Sequence, residues 1–154
     1  MKRPFFDTSI LLAGLIDLGD TSIAPIRILD QIATRQIRNA TTAWHCCLEF
    51  YSVATRLPEE YRLTTETAAE FIREEIIRNL GIRILESLSN ENLFSEAAQH
   101  RISGGRIYDF HIGNTAVNGK VSVIVTENKK HFLHFEAKGI SVLNANEYLN
   151  KLDP

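Results

Sequence analysis

The chain has 154 residues, 44% of them hydrophobic and 23% charged, with a formal net charge of −2. That is a one-domain length with an ordinary globular composition, which excludes a disordered or fibrous chain. It also excludes nucleic-acid binding through bulk positive charge: such contact needs a local basic rim, or metal ions that cancel an acidic site. Cys46 and Cys47 are adjacent, so they make neither a CxxC site nor a disulfide framework, and a reduced, cytoplasmic setting is expected. The start, MKRPFFDTSILLAGL, has the basic residues and apolar run of a signal sequence. Asp7 breaks that run and no small-residue cleavage site follows, so no targeting role is expected. No apolar stretch reaches the roughly 20 residues of a membrane span.

In chain order, Lys2 to Asp7 reads as a short buried strand and Thr8 to Leu18 as an apolar helix. Pro25 suits the first turn of a second helix running to about Arg38, with Ile26, Leu29, Ile32, Ala33 and Ile37 on one face. A strand over Asn39 to Ala43 precedes a helix from His45 to Leu57, which Pro58 stops. Thr64 caps a helix reaching Leu80, and Gly81 ends it. Arg83 to Leu85 is a strand, and Ser89 caps a helix to about Arg101. Gly104 and Gly105 break the chain before a helix over Tyr108 to Asn118. The β-branched run Ser122 to Thr126 is a fully buried strand. A last strand, Ile140 to Leu143, leads to a short helix from about Asn146. Strands alternating with helices predict an α/β fold with a mostly parallel sheet covered on both faces, in one domain over 1–154. Its sites should gather at the carboxyl ends of the strands.

Three carboxylates stand inside apolar segments at such places: Asp7 in FFDTSILLAGL, Glu49 in WHCCLEFYSVATRLP and Asp109 in GGRIYDFHIGNTA. A carboxylate among apolar residues needs a partner, a proton or a cation. Asp7 also reads as an N-cap, and the two roles coexist. Glu49 alone could be a surface residue, and Asp109 alone a first-turn acid favoured by the helix dipole. His45, one turn before Glu49, reads as a polar contact near the site, and His111 as a packing or rim residue. Thr126, Glu127 and Asn128 follow the buried strand; Thr126 and Asn128 can complete the pocket, with Glu127 turned away. Three oxygen ligands suit Mg²⁺ or Mn²⁺ rather than zinc, in a site that activates water against a phosphodiester. No P-loop, G-x-S-x-G, dinucleotide fingerprint or HExxH is present.

The ordered set DTSILLAGL, H-x-x-x-E-x-Y-x-x-x-T-R-L-P (His45 to Pro58), GGRIYD and T-x-N-x-x-H-F (Thr126 to Phe132) resembles the PIN-domain ribonucleases over essentially the whole chain. The likeness is to the VapC-type toxins of bacterial toxin–antitoxin pairs in particular. The resemblance implies a three-layer α/β/α fold and a metal-dependent endoribonuclease cleaving tRNA, rRNA or mRNA. It implies Asp7, Glu49 and Asp109 as catalytic metal ligands, with Asn128 at the family's fourth, often acidic, position. Thr8, Thr126 and His45 support them. It also implies a homodimer and a cognate antitoxin protein whose tail plugs the pocket. Candidate phosphate contacts are Arg101, Arg106, Lys129 and Lys130, with Arg56 behind them. The alternatives are a catalytically idle module binding RNA or protein, suggested by Asn128, and a housekeeping RNA-processing nuclease.

Overall fold

The computed structural model describes residues 2–153. Five three-residue strands form one parallel sheet: β1 (Pro4–Phe6), β2 (Thr41–Ala43), β3 (Arg83–Leu85), β4 (Val123–Val125) and β5 (Ser141–Leu143). Their order is β3-β2-β1-β4-β5, with Phe5 opposite Thr41 on one side and Ile124 on the other. The chain leaves β1 toward β2 and β3, then crosses back to β4, so the switch point lies between the carboxyl ends of β1 and β4. Asp7 and Thr126 are the residues that end those two strands.

Helices α1 (Thr8–Leu15), α2 (Ile23–Ala33), α3 (Trp44–Ala54), α4 (Thr65–Glu70), α5 (Asn92–Gln99), α6 (Arg106–Asn118) and α7 (Ala145–Leu152) complete the layers. Because side chains alternate along a strand, Phe6, Val123 and Val125 face one core, built with Ile10, Ile28, Ile32, Ile76 and Tyr148. Phe5, Ile124 and Val142 face the other, with Phe110, Ile112 and Phe135. The result is the expected α/β/α sandwich. Helix α3 reaches both cores, giving Cys46 to one and Phe50 to the other. Both cysteines are buried free thiols. Among the described residues no single helix is long and apolar enough to cross a membrane.

Several boundaries differ from expectation. Helix α1 ends at Leu15, three residues short of Leu18, and α3 ends at Ala54 rather than Leu57. Helix α2 stops at Ala33, which is exposed, because Arg35 takes a left-handed conformation (φ 64°) and turns the chain; Ile37 is buried from the loop beyond. Helix α5 starts later than a Ser89 cap predicts, at Asn92, with Glu91 at the cap position and the Asn90 side chain accepting the Asn92 N–H at 2.9 Å. Thr64 does cap α4, accepting the Thr67 N–H, but the helix widens to π winding over Phe71–Asn79. Helix α6 starts at Arg106, two residues early, so Asp109 closes its first turn.

Candidate active site

Asp7 is the N-cap of α1 by position, with its carbonyl accepting the Ile10 N–H at 3.0 Å, yet its carboxylate makes no capping bond. The side chain turns instead toward the sheet edge, 3% exposed, where Thr126 Oγ1 donates to Asp7 Oδ2 at 2.8 Å. Ser9 Oγ reaches the same oxygen at 3.4 Å, and the Cys46 thiol approaches Oδ1 at 3.8 Å. No Lys or Arg pairs with Asp7 among the described residues. Burial, together with the charges of Asp109 and Glu49, raises its pKa to about 6, against the pull of the Thr126 hydroxyl and the Thr8 N–H. Glu49 and Asp109 thus stand near enough to Asp7 for their charges to act on it.

Glu49 lies one turn into α3, half-buried. His45 Nε2 is 3.0 Å from its Oε1, and Thr8 Oγ1 donates to Oε2 at 3.1 Å. Tyr108 stacks on the His45 ring, with centroids 5.0 Å apart and planes 7° apart. Asp109, on α6, meets His131 across the site: Nδ1 to Oδ2 is 2.7 Å, and since a carboxylate only accepts, Nδ1 carries the hydrogen. His111 bonds Ser87 Oγ at 2.9 Å, and burial, with the nearby His45 charge, lowers its pKa.

Asn128 does not join the carboxylates through its side chain. It is exposed, and its backbone N–H donates to Thr126 Oγ1 at 3.0 Å, which aims the Thr126 hydroxyl hydrogen at Asp7. Glu127 is turned away as expected, accepting the Ala145 N–H at the start of α7. Lys129 is consumed by Glu147, with both oxygens within 2.9 Å of its ammonium. Arg56, Arg101, Arg106 and Lys130 are exposed and have no acidic partner among the described residues.

Sequence reasoning missed His131, Ser9 and Cys46 as neighbours of the carboxylates. Ser9 was findable, two residues after Asp7 on the first turn of α1. His131 sits in a short 3₁₀ turn (Lys129–His131) whose direction no periodicity reveals.

The donor set is oxygen throughout, three carboxylates with the hydroxyls of Thr8, Ser9 and Thr126 close by, which fits a hard divalent cation. Among the described residues, however, no three His, Cys, Asp or Glu side chains stand gathered to hold an ion. Glu49 and Asp109 are turned to His45 and His131, and would have to swing from them to share one cation with Asp7.

The parallel sheet in the order 3-2-1-4-5 is a common doubly wound arrangement; here an acid follows β1, another lies one turn into α3, and a third closes the first turn of α6. The chain belongs to the PIN domain family, whose sequence profile matches residues 3–130. Within it, the relatives are of the VapC type. The chain is 30% identical over 110 residues to Ribonuclease VapC40 of Mycobacterium tuberculosis (strain H37Rv), a match covering 71% of this chain and 75% of that protein. It is 30% identical over 133 residues to Ribonuclease VapC27 of the same strain, covering 82% and 94%. The crystal structure of FitAcB from Neisseria gonorrhoeae shares the fold, with a TM-score of 0.62 and 18% identity over 92% of this chain and 97% of that one.

Proposed function

We propose that the chain is a divalent-metal-dependent endoribonuclease that acts in the cytoplasm as the toxin of a toxin–antitoxin pair. The observation that carries the reading is a buried carboxylate without a basic partner among the described residues, Asp7, at the switch point of a PIN sheet, its pKa raised chiefly by burial and further by the charges of Asp109 and Glu49. Its relatives' name, ribonuclease, supports the reaction class. Asp7, Glu49 and Asp109 would hold Mg²⁺ or Mn²⁺, which supplies charge neutralisation at the scissile phosphate and a more acidic water.

The chain's own residues do the rest. The Thr126 hydroxyl donates to Oδ2 of Asp7 and fixes its plane, while the Cys46 thiol approaches Oδ1 at 3.8 Å. Thr8 tethers Glu49 to the first turn of α1, next to Asp7 in the chain. The unpaired Arg101, Arg106 and Lys130 would take flanking phosphates. A homodimer, an antitoxin partner and an RNA target among tRNA, rRNA and mRNA belong to the same proposal.

Incubation of the purified chain with total RNA, with and without Mg²⁺ or Mn²⁺, tests it. Metal-dependent fragments with discrete ends are expected; cleavage retained in both Asp7→Asn and Asp109→Asn would overturn it. The idle RNA-binding module has its own support in the neutral Asn128 and the ungathered carboxylates. Calorimetric titration decides between them, since a nuclease binds Mn²⁺ and the idle module does not.

A further inference from the structure

At the opposite edge of the sheet, where β1, β4 and β5 begin, a cavity of about 610 Å³ opens to solvent. Its size lies within the roughly 300–1,000 Å³ of small-ligand sites. Three cations line it, Lys2 before β1, Arg38 before β2 and Lys151 on the last turn of α7, and among the described residues no carboxylate does. None of the three has an acidic partner among the described residues. In a chain with more acids than bases, 19 to 17, a large cavity with only positive charge is a local inversion of sign.

The cavity is built by the fold. Helix α2 ends early, and left-handed residues at Arg35 and Asn39 swing the segment to β2 outward, which carries Arg38 to the rim. The lining between the cations carries an apolar stretch, Ile37, Val123, Leu152 and the Tyr148 ring, which is held edge-on against Phe6, beside polar Gln36, Asn39, Ser122 and Ser141. A lone inorganic anion would satisfy the cations but leave that floor wet. An anion joined to a flat, weakly polar group covers both.

We propose that this cavity binds a nucleoside phosphate, free or as the 5′-phosphorylated end of an RNA strand, with the phosphate among Lys2, Arg38 and Lys151 and the base on the apolar floor. The site is separate from Asp7, which lies at the other end of β1, and from Glu49 and Asp109 on α3 and α6, so it stands or falls independently of the cleavage reading.

Isothermal titration calorimetry on the whole chain in EDTA, which removes metal-dependent binding and cleavage, tests the assignment. The ligands are 5′-AMP, adenosine, inorganic phosphate, and a tetra-adenylate with and without a 5′ phosphate. AMP should bind at least about tenfold more tightly than adenosine or phosphate, and Arg38→Ala/Lys151→Ala should weaken it at least about tenfold. The charge-retaining Arg38→Lys/Lys151→Arg pair and Asp7→Asn should keep it. Tighter binding of the phosphorylated tetranucleotide than of AMP identifies an RNA end as the ligand; equal or weaker binding identifies the free nucleotide. Failure of millimolar AMP to bind, unchanged affinity in Arg38→Ala/Lys151→Ala, or loss in Asp7→Asn would overturn the proposal. Failure of the nuclease reading, in contrast, would appear in RNA digestion and leave these titrations intact.

Discussion

At the carboxyl edge of the sheet stand Asp7, Glu49 and Asp109, and their partners are hydroxyls, a thiol and two histidines. At the amino edge, Lys2, Arg38 and Lys151 line a cavity that no acid lines among the described residues. Strands of three residues separate the two edges by only about 10 Å, so one thin sheet carries opposite charge at its ends. The edges differ in burial as well as sign. Asp7 is desolvated, and its acidity responds to its neighbours, whereas the three cations are exposed and stay hydrated. An acid held dry needs a counter-charge brought from outside; exposed cations around an apolar floor need only a ligand that fits. The first edge suits chemistry and the second suits binding.

The strongest way to break this contrast is to remove charge at the reactive edge. Asp7→Asn or Asp109→Asn should lower metal-dependent RNA cleavage by more than about 100-fold, beyond the roughly 10–100-fold typical of outer-shell partners, as read from initial rates on a labelled RNA. The amino-edge variant Arg38→Ala/Lys151→Ala should cleave at close to the parent rate.

A second effect is on stability. In the metal-free protein Asp7 titrates near 6, but in the unfolded chain it titrates at its ordinary 3.8. The folded state therefore holds the extra proton between those values. Stability then falls as pH rises from about 4 to about 6, by on the order of 3 kcal/mol, and stays lower above that window. Urea midpoints measured at acid and neutral pH should follow this fall, and Asp7→Asn should abolish it and be more stable than the parent at neutral pH. A flat profile in the parent would show that Asp7 is hydrated and the two edges are alike.

How much of this was legible beforehand depends on how far each feature reaches along the chain. Asp7, Glu49 and Asp109 were legible because each interrupts an apolar pattern within a few residues, and Thr126 because it ends a β-branched run. Their histidine partners were not equally so. His45 announces itself by helical spacing from Glu49, but His131 reaches Asp109 only through a 3₁₀ turn after β4. The early end of α2 turns on a left-handed arginine, a conformation that sequence seldom betrays, and the π winding after Glu70 left no trace in the apolar spacing. The amino-edge cavity was invisible for a topological reason. Lys2, Arg38 and Lys151 lie far apart in the chain, and only the strand order brings them together.

The reactive edge also depends on close packing behind it. Gly113, one turn after Asp109 on α6, lies so near the Phe135 ring that an added Cβ would overlap it. Gly113→Ala should therefore cost about 1–3 kcal/mol by overpacking, read as a shifted urea midpoint. The same push moves α6 from the segment after His131, so cleavage should fall by more than stability alone accounts for. The amino-edge cavity, which α6 does not line, should bind AMP unchanged.

The smallest effect separates free from committed cations at the reactive edge. Lys129 and Lys130 are adjacent, and charge alone would rank them equally as phosphate contacts. Glu147 takes both its oxygens to Lys129 while also receiving the Asn144 N–H in the capping box of α7, and these bonds hold its pKa below the ordinary value. Lys129→Ala should thus cost stability only about 0.2–1 kcal/mol, as exposed ion pairs do, and leave the salt dependence of RNA binding nearly unchanged, because its charge is already answered. Lys130 has no such partner, so Lys130→Ala should leave stability alone and reduce the slope of log affinity against log salt by up to about one unit, the loss of a single phosphate contact. Fluorescence anisotropy of a labelled RNA across a salt series distinguishes the two. If Lys129→Ala proves the more damaging, RNA must displace Glu147 on binding, and the cap of α7 opens with it.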